Sequence, residues 1–270
     1  RDFCLSRGLG DVYKRQISNA LMELVSIITP CYNSASTIRE TIQSVIGQSY
    51  DCWELLIIDD CSQDDSAKII MEFAAVDARI RYLKTNTSSG SPTLPRNIGI
   101  KAAKGRFIAF LDSDDVWLSN KLSSQLPLFV NNDVAIVFSY YEKMAEDGSR
   151  MGRVVKSAFY HHYKSLLCGN ELGCLTVVYD TQKIGKRYFK FIGHEDYNLW
   201  LDILKEGFIA VNANASLALY RVRRNSVSSN KLRVIKWVWH IYRVEQKISI
   251  FPSLCYLFFD LTKSYFKYLK

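Results

Sequence analysis

The chain has 270 residues, of which 48% are hydrophobic and 23% charged, and its formal net charge is +8. This is the composition of an ordinary globular protein, and no apolar run approaches the roughly 20 residues that a membrane-spanning helix needs. The seven cysteines form no CxxC pair or metal-binding spacing, which is typical of reduced thiols, and we expect a cytoplasmic protein without a secretory leader.

The first 21 residues differ in character from the rest of the chain. Residues 6–16, SRGLGDVYKRQ, resemble the translation of a sequencing adapter. We therefore expect residues 1–21 to be an artefactual or disordered arm, and we expect the natural chain to start at Met22.

Strands and helices are predicted to alternate from residue 24 onward. Short, nearly continuous apolar runs predict buried parallel strands, and apolar residues three or four apart predict helices. The predicted strands span 24–29, 53–60, 80–85, 106–112 and 134–141, and the predicted helices span 36–49, 66–76, 95–105 and 120–130, the last interrupted near Pro127. This alternation predicts an α/β fold, with three α/β/α layers around a mostly parallel sheet.

Polar side chains follow three of the predicted strands, at the point where each strand ends. They are TPCYN (29–33), the pair Asp59 and Asp60, and the cluster Asp112, Asp114 and Asp115. In such sheets, ligands bind beyond the carboxyl ends of the strands. The sequence has neither a GxGxxG motif after its first strand nor a P-loop. We therefore expect the cluster at 112–115 to hold a divalent cation, Mg²⁺ or Mn²⁺, which carries a diphosphate.

Blocks of sequence in a fixed order resemble the GT-A-fold, family 2 glycosyltransferases. They begin with VSIITPCYN and IIDDCS, continue with PRNIGIKAAKGRFIAFLDSDDVW, and end with GHEDYNLWLDILKEG. The resemblance runs from about Leu24 to about Asn230 and implies a Rossmann-like GT-A domain at 22–230. It also implies inverting transfer of a sugar from a nucleotide-diphosphate donor, a UDP-sugar, to an acceptor hydroxyl. Many bacterial members of this family build lipopolysaccharide, capsule or exopolysaccharide.

The same resemblance implies roles for individual residues. The TPCYN block and Asp60, with Asp59 as the second candidate, correspond to contacts with the nucleotide base. Arg96 corresponds to a residue that faces the donor phosphates or sugar, and the basic segment after the last core strand corresponds to one that closes over the diphosphate, although a solvated loop is the alternative there. The implied donor-binding residues are Thr29, Pro30, Tyr32, Asp59, Asp60, Arg96, Asp112, Arg221 and Arg223, and the implied metal ligands are Asp114 and Asp115.

The acidic pair Glu195 and Asp196 begins a helix predicted at 195–206. An inverting displacement needs a base that takes the proton of the acceptor hydroxyl, and the resemblance places this pair at the catalytic position of the family. We expect Asp196 to be the base and Glu195 to be the second candidate. The alternative is an acidic pair that is favoured only by the helix dipole.

The tail at 231–270 has a different composition. Residues 221–270 hold 11 basic and 2 acidic side chains, residues 1–21 hold 4 and 2, and the remainder of the chain is slightly acidic. We expect two basic amphipathic helices, divided at Pro252, that make peripheral contact with the inner face of the cytoplasmic membrane. Packing of these helices on the catalytic domain is the alternative. A glycan or lipid-linked glycan acceptor would fit the first interpretation.

Two other classes of function compete with a glycosyltransferase. A metal-dependent nucleotidyltransferase also uses acids at strand ends, but the loop TPCYNSAST lacks the glycines or lysine typical of its donor site. A non-catalytic nucleic-acid-binding protein would explain the sequence pI near 9.0. The basic residues are not organised as a recognition module, however, and we expect no nucleic-acid partner.

Overall fold

The computed structural model describes residues 23–222 and 231–269. Within these ranges one sheet organises the chain. Its strands are β1 (Val25–Cys31), β2 (Trp53–Asp59), β3 (Ile80–Lys84), β4 (Phe107–Phe110), β5 (Val116–Trp117), β6 (Val134–Met144), β7 (Arg150–Val155), β8 (Tyr160–His161), β9 (Val178–Asp180) and β10 (Ile209–Arg221).

The strands lie in the order β3-β2-β1-β4-β9-β6-β10-β5, with β7 paired to β6 and β8 paired to β10. The half that contains β3, β2, β1 and β4 is parallel throughout. The short strand β9 runs antiparallel to both β4 and β6 and joins this half to the parallel pair β6 and β10. Because parallel strands place their carboxyl ends at one edge, the polar residues after β1, β2 and β4 share that edge.

Helices cover both faces of the sheet. They are α1 (Ile38–Ile46), α2 (Ser66–Val76), α3 (Thr93–Ala102), α4 (Lys121–Gln125), α5 (Tyr163–Leu166), α6 (Thr181–Ile184), α7 (Glu195–Lys205), α8 (Lys231–His240) and α9 (Ile250–Leu269). A 3₁₀-helix follows α4 at Leu126–Val130, another spans Cys174–Thr176, and a π-helical turn follows α8 at Ile241–Glu245.

Alternate residues of the strands belong to two separate hydrophobic cores, one on each face of the sheet. Ile27 and Leu55 face the layer that contains α1, α2 and α4, whereas Ile28 and Leu56 face the layer that contains α3, α7 and α8. This division follows from the two-residue repeat of a strand. At Gly99 in α3, a Cβ atom would lie 2.5 Å from Cγ2 of Ile28, so a glycine is needed for α3 to approach the sheet. The three-layer α/β prediction is confirmed.

The C-terminal tail is helical, but its two helices are not divided at Pro252 as predicted. The break lies at residues 246–249, and Pro252 is the third residue of α9. Proline is tolerated in the first turn of a helix because the backbone N–H that it lacks has no partner there. Among the described residues, no helix combines the length and the apolar character needed to cross a membrane.

Candidate active site

A cavity of about 340 Å³ lies between the loop after β4, the starts of α3 and α7, and the loop at 170–175. Among the described residues, its lining carries five carboxylates, one guanidinium and one imidazole. These are Asp112, Asp115, Glu171, Glu195, Asp196, Arg96 and His194. The cavity therefore has an excess of negative charge and would repel a diphosphate unless a cation accompanied it.

The loop at 112–115 is fixed to α1 and to the turn before it by side-chain hydrogen bonds. The hydroxyl of Ser113 lies 2.7 Å from that of Ser34, and the Thr37 hydroxyl donates to the Ser113 carbonyl over 2.8 Å. One turn later, the Thr41 hydroxyl donates to the Asp115 carbonyl over 2.9 Å. Thr37 directly precedes α1, and its hydroxyl bonds this loop rather than a backbone N–H of the helix. These bonds hold the acidic loop at one position relative to the sheet.

Asp115 is the buried member of the acidic cluster, with 1% of its surface exposed. Its Oδ1 accepts the backbone N–H of Arg221 over 2.9 Å. Burial raises the pKa of Asp115 well above its usual value, and the nearby Asp114 and Asp112 carboxylates raise this pKa further. Asp112 and Asp115 line the cavity, and Asp114 is not among the lining residues.

The buried Arg221 side chain supports this loop. Its Nε donates to the Asp114 carbonyl over 2.8 Å, its Nη1 donates to the Glu146 carbonyl over 2.9 Å, and its Nη2 forms an ion pair with Glu40. All three nitrogens of the guanidinium are thus bonded to the protein. The expected contact of Arg221 with the donor stays a prediction, and Arg223 lies outside the described residues.

Arg96 connects the acidic loop to the start of α7. Its Nη2 lies 2.6 Å from Oδ1 of Asp112, and its Nη1 lies 2.8 Å from Oε1 of Glu195. The guanidinium is buried over the ring of Phe189, with 5.4 Å to the ring centroid. Although burial alone would lower it, the pKa of Arg96 is raised because Asp112 and Glu195 stabilise the charged form. The structure thus brings together three residues that the sequence placed in separate motifs.

Glu195 and Asp196 begin α7 as predicted, but their surroundings differ. Glu195 is paired with Arg96, and its pKa is raised because burial and the neighbouring Asp196 oppose the loss of its proton. Asp196 accepts the backbone N–H of Tyr197 over 2.8 Å and a long bond from Asn170, at 3.4 Å. The preceding residue, His194, has a left-handed backbone with φ of 57°.

The predicted nucleotide contacts lie at the ends of β1 and β2, outside the cavity lining. Thr29 and Pro30 are buried within β1, whereas the side chain of Tyr32 is 51% exposed. Asp59 accepts from the Tyr82 hydroxyl over 3.0 Å, and a carboxylate oxygen of Asp60 accepts from the backbone N–H of Ser89 over 2.9 Å. Cys31 is the register partner of Asp59, so these residues form one edge beside the cavity.

The family of the chain follows from comparison with known proteins. Residues 26–183 match the family model described as "Glycosyl transferase family 2". The chain belongs to glycosyl transferase family 2. This membership makes the protein a glycosyltransferase, the class of enzyme expected from the sequence, and favours that class over the nucleotidyltransferase and the non-catalytic nucleic-acid-binding protein.

Relatives and solved structures resemble the glycosyltransferase over most of its length. WfgD of Escherichia coli, a UDP-Glc:alpha-D-GlcNAc-diphosphoundecaprenol beta-1,3-glucosyltransferase, is 39% identical over 250 residues, which cover 91% of this chain and 96% of WfgD. The S. aureus TarS structure in complex with UDP-GlcNAc has a TM-score of 0.66 at 20% identity, and the match covers 82% of this chain and 66% of TarS. The Pyrobaculum calidifontis mannosyltransferase PcManGT, solved with GDP-Man and Mn²⁺, also has a TM-score of 0.66, at 15% identity, over 95% of this chain and 78% of its own. The structural matches confirm the GT-A fold.

The acidic loop of the glycosyltransferase fits a hard divalent cation. Within the described ranges, no group of three or more His, Cys, Asp or Glu side chains is arranged to hold a metal by itself. Mg²⁺ and Mn²⁺ nevertheless need only one or two carboxylates, since phosphate and water oxygens complete their coordination. Carboxylate oxygens are the ligand type that these ions prefer. The raised pKa of Asp115 indicates a site where a positive ion would stabilise the ionised carboxyl.

One wall of the cavity was not predicted from the sequence. The loop at 170–175 has no apolar period, yet it contributes six residues to the lining. Glu171 in this loop lies 3.2 Å from Nε2 of His161 and 2.8 Å from Nζ of Lys263 in α9. A signal was present only in the glycines at 169 and 173, which are typical of a turn but do not predict its position in the fold.

Proposed function

We propose that this glycosyltransferase is an inverting hexosyltransferase that moves a sugar from a UDP-sugar to a hydroxyl of a lipid-linked glycan in cell-surface polysaccharide synthesis. The observation that carries the proposal is the connection that Arg96 makes between Asp112 and Glu195. The acidic loop and the acidic pair thus contribute to the lining of one cavity. Donor activation and proton removal would then take place in the same cavity.

The proposal assigns the donor diphosphate to the side of the cavity at 112–115. Asp114 and Asp115, with Asp112 beside them, would hold Mg²⁺ or Mn²⁺. When bound, such an ion neutralises the charge that develops on the departing diphosphate. The nucleotide would extend toward the ends of β1 and β2, where the exposed ring of Tyr32 offers a stacking surface. The structure of TarS with UDP-GlcNAc supports a UDP-sugar donor for a protein of this fold.

The proposal assigns the base to Asp196 rather than Glu195. The Glu195 carboxylate forms an ion pair with Arg96, and this pair connects the start of α7 to the acidic loop. Asp196 lines the same cavity, and from the described residues its side chain accepts two amide hydrogen bonds, one of them long. Its carboxylate can therefore take the proton of an acceptor hydroxyl as that hydroxyl attacks the anomeric carbon.

In this proposal the enzyme acts at the inner face of the cytoplasmic membrane. One side of α9 carries large apolar side chains that are between 42% and 77% exposed: Ile250, Phe251, Leu254, Phe258, Phe259 and Leu261. On the neighbouring α8, Lys231, Arg233 and Lys236 are exposed. An apolar stripe beside basic side chains is the pattern of a helix that lies in the interface of an anionic bilayer. The diphosphoundecaprenol-linked acceptor named for WfgD supports this location.

The test is sugar transfer by the purified protein to a lipid-linked acceptor, with UDP-, GDP- and dTDP-sugars and Mn²⁺. We expect release of UDP that depends on the acceptor. Asp196→Asn should keep donor affinity within a few-fold and lower turnover by about 10² or more, the usual scale for loss of a general base. Glu195→Gln should have a smaller effect, because the adjacent helical position points about 100° away and glutamine can still accept from Arg96.

A reversed ranking of the two variants would move the base to Glu195 and leave the transfer function intact. Normal turnover in both variants, with the chemical step shown to limit the rate, would exclude the proposed mechanism at this acidic pair. Release of UDP at the same rate with and without every acceptor would contradict the transfer reaction itself.

A further inference from the structure

The indole of Trp237 in α8 lies directly on Gly193, two residues before Glu195. A Cβ atom added to Gly193 would be 2.1 Å from Cδ2 of Trp237 and 2.2 Å from Cε2 and Cγ. Real Cβ atoms do not approach other heavy atoms this closely, so any side chain at 193 would displace the indole. Gly193 is not among the glycines with positive φ, and the glycine is therefore explained by this contact rather than by its backbone conformation.

The same indole also contacts the residue that precedes α7. The His194 ring meets the Trp237 ring edge to face, with 5.5 Å between centroids and 73° between planes. His194 has the left-handed backbone conformation, which non-glycine residues adopt at a cost that the surroundings must offset. Its carbonyl accepts the N–H of Asn198 over 3.2 Å and so begins the hydrogen-bond ladder of α7. Trp237 therefore packs on the turn that sets the position of Glu195 and Asp196.

A second set of contacts connects the C-terminal helices to the loop that carries Asn170, a hydrogen-bond partner of Asp196. In α9, Lys263 forms an ion pair with Glu171 over 2.8 Å, and the Asp260 carboxylate lies so close to Gly169 that a Cβ there would be 2.7 Å from its Oδ1. The loop held in this way contains Asn170, which donates to Asp196. Both segments that flank Asp196 are thus packed against α8 or α9.

We propose that Trp237 is a positioning residue for Asp196, a role that rests on the proposed function of Asp196 as the base. Its indole holds the Gly193–His194 turn, and that turn fixes the first residues of α7. The C-terminal helices are then part of the catalytic unit as well as the surface that faces the membrane. Trp237 itself lines no part of the cavity and has no contact with substrate in this proposal.

The size of the expected effect follows from the contact distance. To bring an alanine at 193 into ordinary contact, at 3.4 Å or more, the indole and the turn must separate by more than 1 Å. A displacement of this size in a catalytic group can lower a rate by about 10². We expect Gly193→Ala to lower kcat for sugar transfer by at least about 10-fold, with the affinity for UDP changed by less than about 2-fold.

A double-mutant cycle tests the contact directly. Trp237→Ala should also lower kcat by about 10-fold, because it removes the indole that packs on Gly193 and His194. In that background Gly193→Ala meets no indole, so the double variant should have the kcat of Trp237→Ala alone. Trp237→Phe should recover most of the turnover, since a flat ring can still lie on Gly193. Trp239→Ala, which removes an indole from the same helix about 200° away, is the matched control and should stay within about 2-fold of the unaltered protein.

The outcomes separate this inference from the proposed function. Two results would overturn the role of Trp237 without affecting the transfer function of the unaltered protein. One is a double variant in which the losses of kcat from Gly193→Ala and Trp237→Ala multiply. The other is normal turnover in Gly193→Ala. A fall in UDP affinity parallel to the fall in kcat would show a general structural role and would also overturn it. Absence of transfer by the unaltered protein would overturn both proposals.

Discussion

Arg221 provides a test of how the acidic loop is held, because two hypotheses about this residue predict opposite results. The family resemblance implies that its guanidinium contacts the donor diphosphate. In the structure its nitrogens bond the carbonyls of Asp114 and Glu146, that of Ala145 at 3.4 Å, and the carboxylate of Glu40. In the first case Arg221→Ala weakens donor binding without loss of stability, and in the second it destabilises the fold.

The magnitude can be worked from these contacts. Each of the three bonds to carbonyls contributes about 1 kcal/mol net, since water can reach the carbonyls once the side chain is removed. The pair with Glu40 adds little, because the Glu40 side chain is 49% exposed and screened by solvent. Arg221→Ala should therefore lower the free energy of unfolding by about 3 kcal/mol, which corresponds to a fall in Tm of roughly 6–12 °C for a chain of this size.

The assay is thermal and urea unfolding, with UDP affinity measured on the same samples. Arg39→Ala is the matched control, because Arg39 pairs with Glu72 over 3.1 Å with both side chains about half exposed, and it should cost less than about 1 kcal/mol. Arg221→Lys should recover little stability, since a single ammonium cannot reach all of these acceptors. Equal Tm values for Arg221→Ala and Arg39→Ala would refute the structural role, and recovery of UDP affinity by Arg221→Lys would support the diphosphate contact instead.

Two further predictions concern the metal and the membrane. EDTA should abolish the stabilisation of the protein by UDP-sugars. Asp114→Asn and Asp115→Asn should each weaken Mn²⁺-dependent donor binding by about 10-fold or more without unfolding the protein. Unchanged donor affinity in both variants would contradict a metal site at this loop. Replacement of both Phe251 and Phe258 by glutamate should release the protein from anionic liposomes at unchanged Tm, whereas Met71→Glu, at a position on α2 that is 50% exposed, should not. Equal liposome binding by all of these variants would contradict the membrane role of α9.

The first half of the fold could be predicted from the sequence because its elements are local and strongly patterned. The predicted helix 66–76 coincides with α2, and the predicted strand 53–60 differs from β2 by one residue. The strands β1 and β2 are buried along their whole length. The sequence of each is therefore a nearly continuous apolar run that ends where the polar edge begins. The same regularity allowed the polar residues of three strand ends to be assigned to one edge.

The second half could not be predicted in the same way, because its pairings are short or distant in sequence. β9 has three residues and is placed between β4 and β6, more than 30 residues from either. Arg221 and Glu40, 181 residues apart, form an ion pair that no local pattern indicates. The tail was also ambiguous, since α8 and α9 have one side buried and another exposed. Both the packing and the membrane interpretation were compatible with such a pattern.

The packing of α8 and the π-helical turn after it against α7 also has a consequence for how the chain folds during synthesis. Val238, Ile241 and Tyr242 complete the same core as Leu199 and Trp200 of α7, yet they leave the ribosome some 40 residues later. Until then the nascent chain presents the apolar side of α7 to solvent, where chaperones, proteases and other unfinished chains can reach it. A product that stops short of residue 231 would contain every acidic residue of the active site and still be prone to aggregation. Burial of the apolar side of α7 therefore has to wait for the synthesis of residues 238–242.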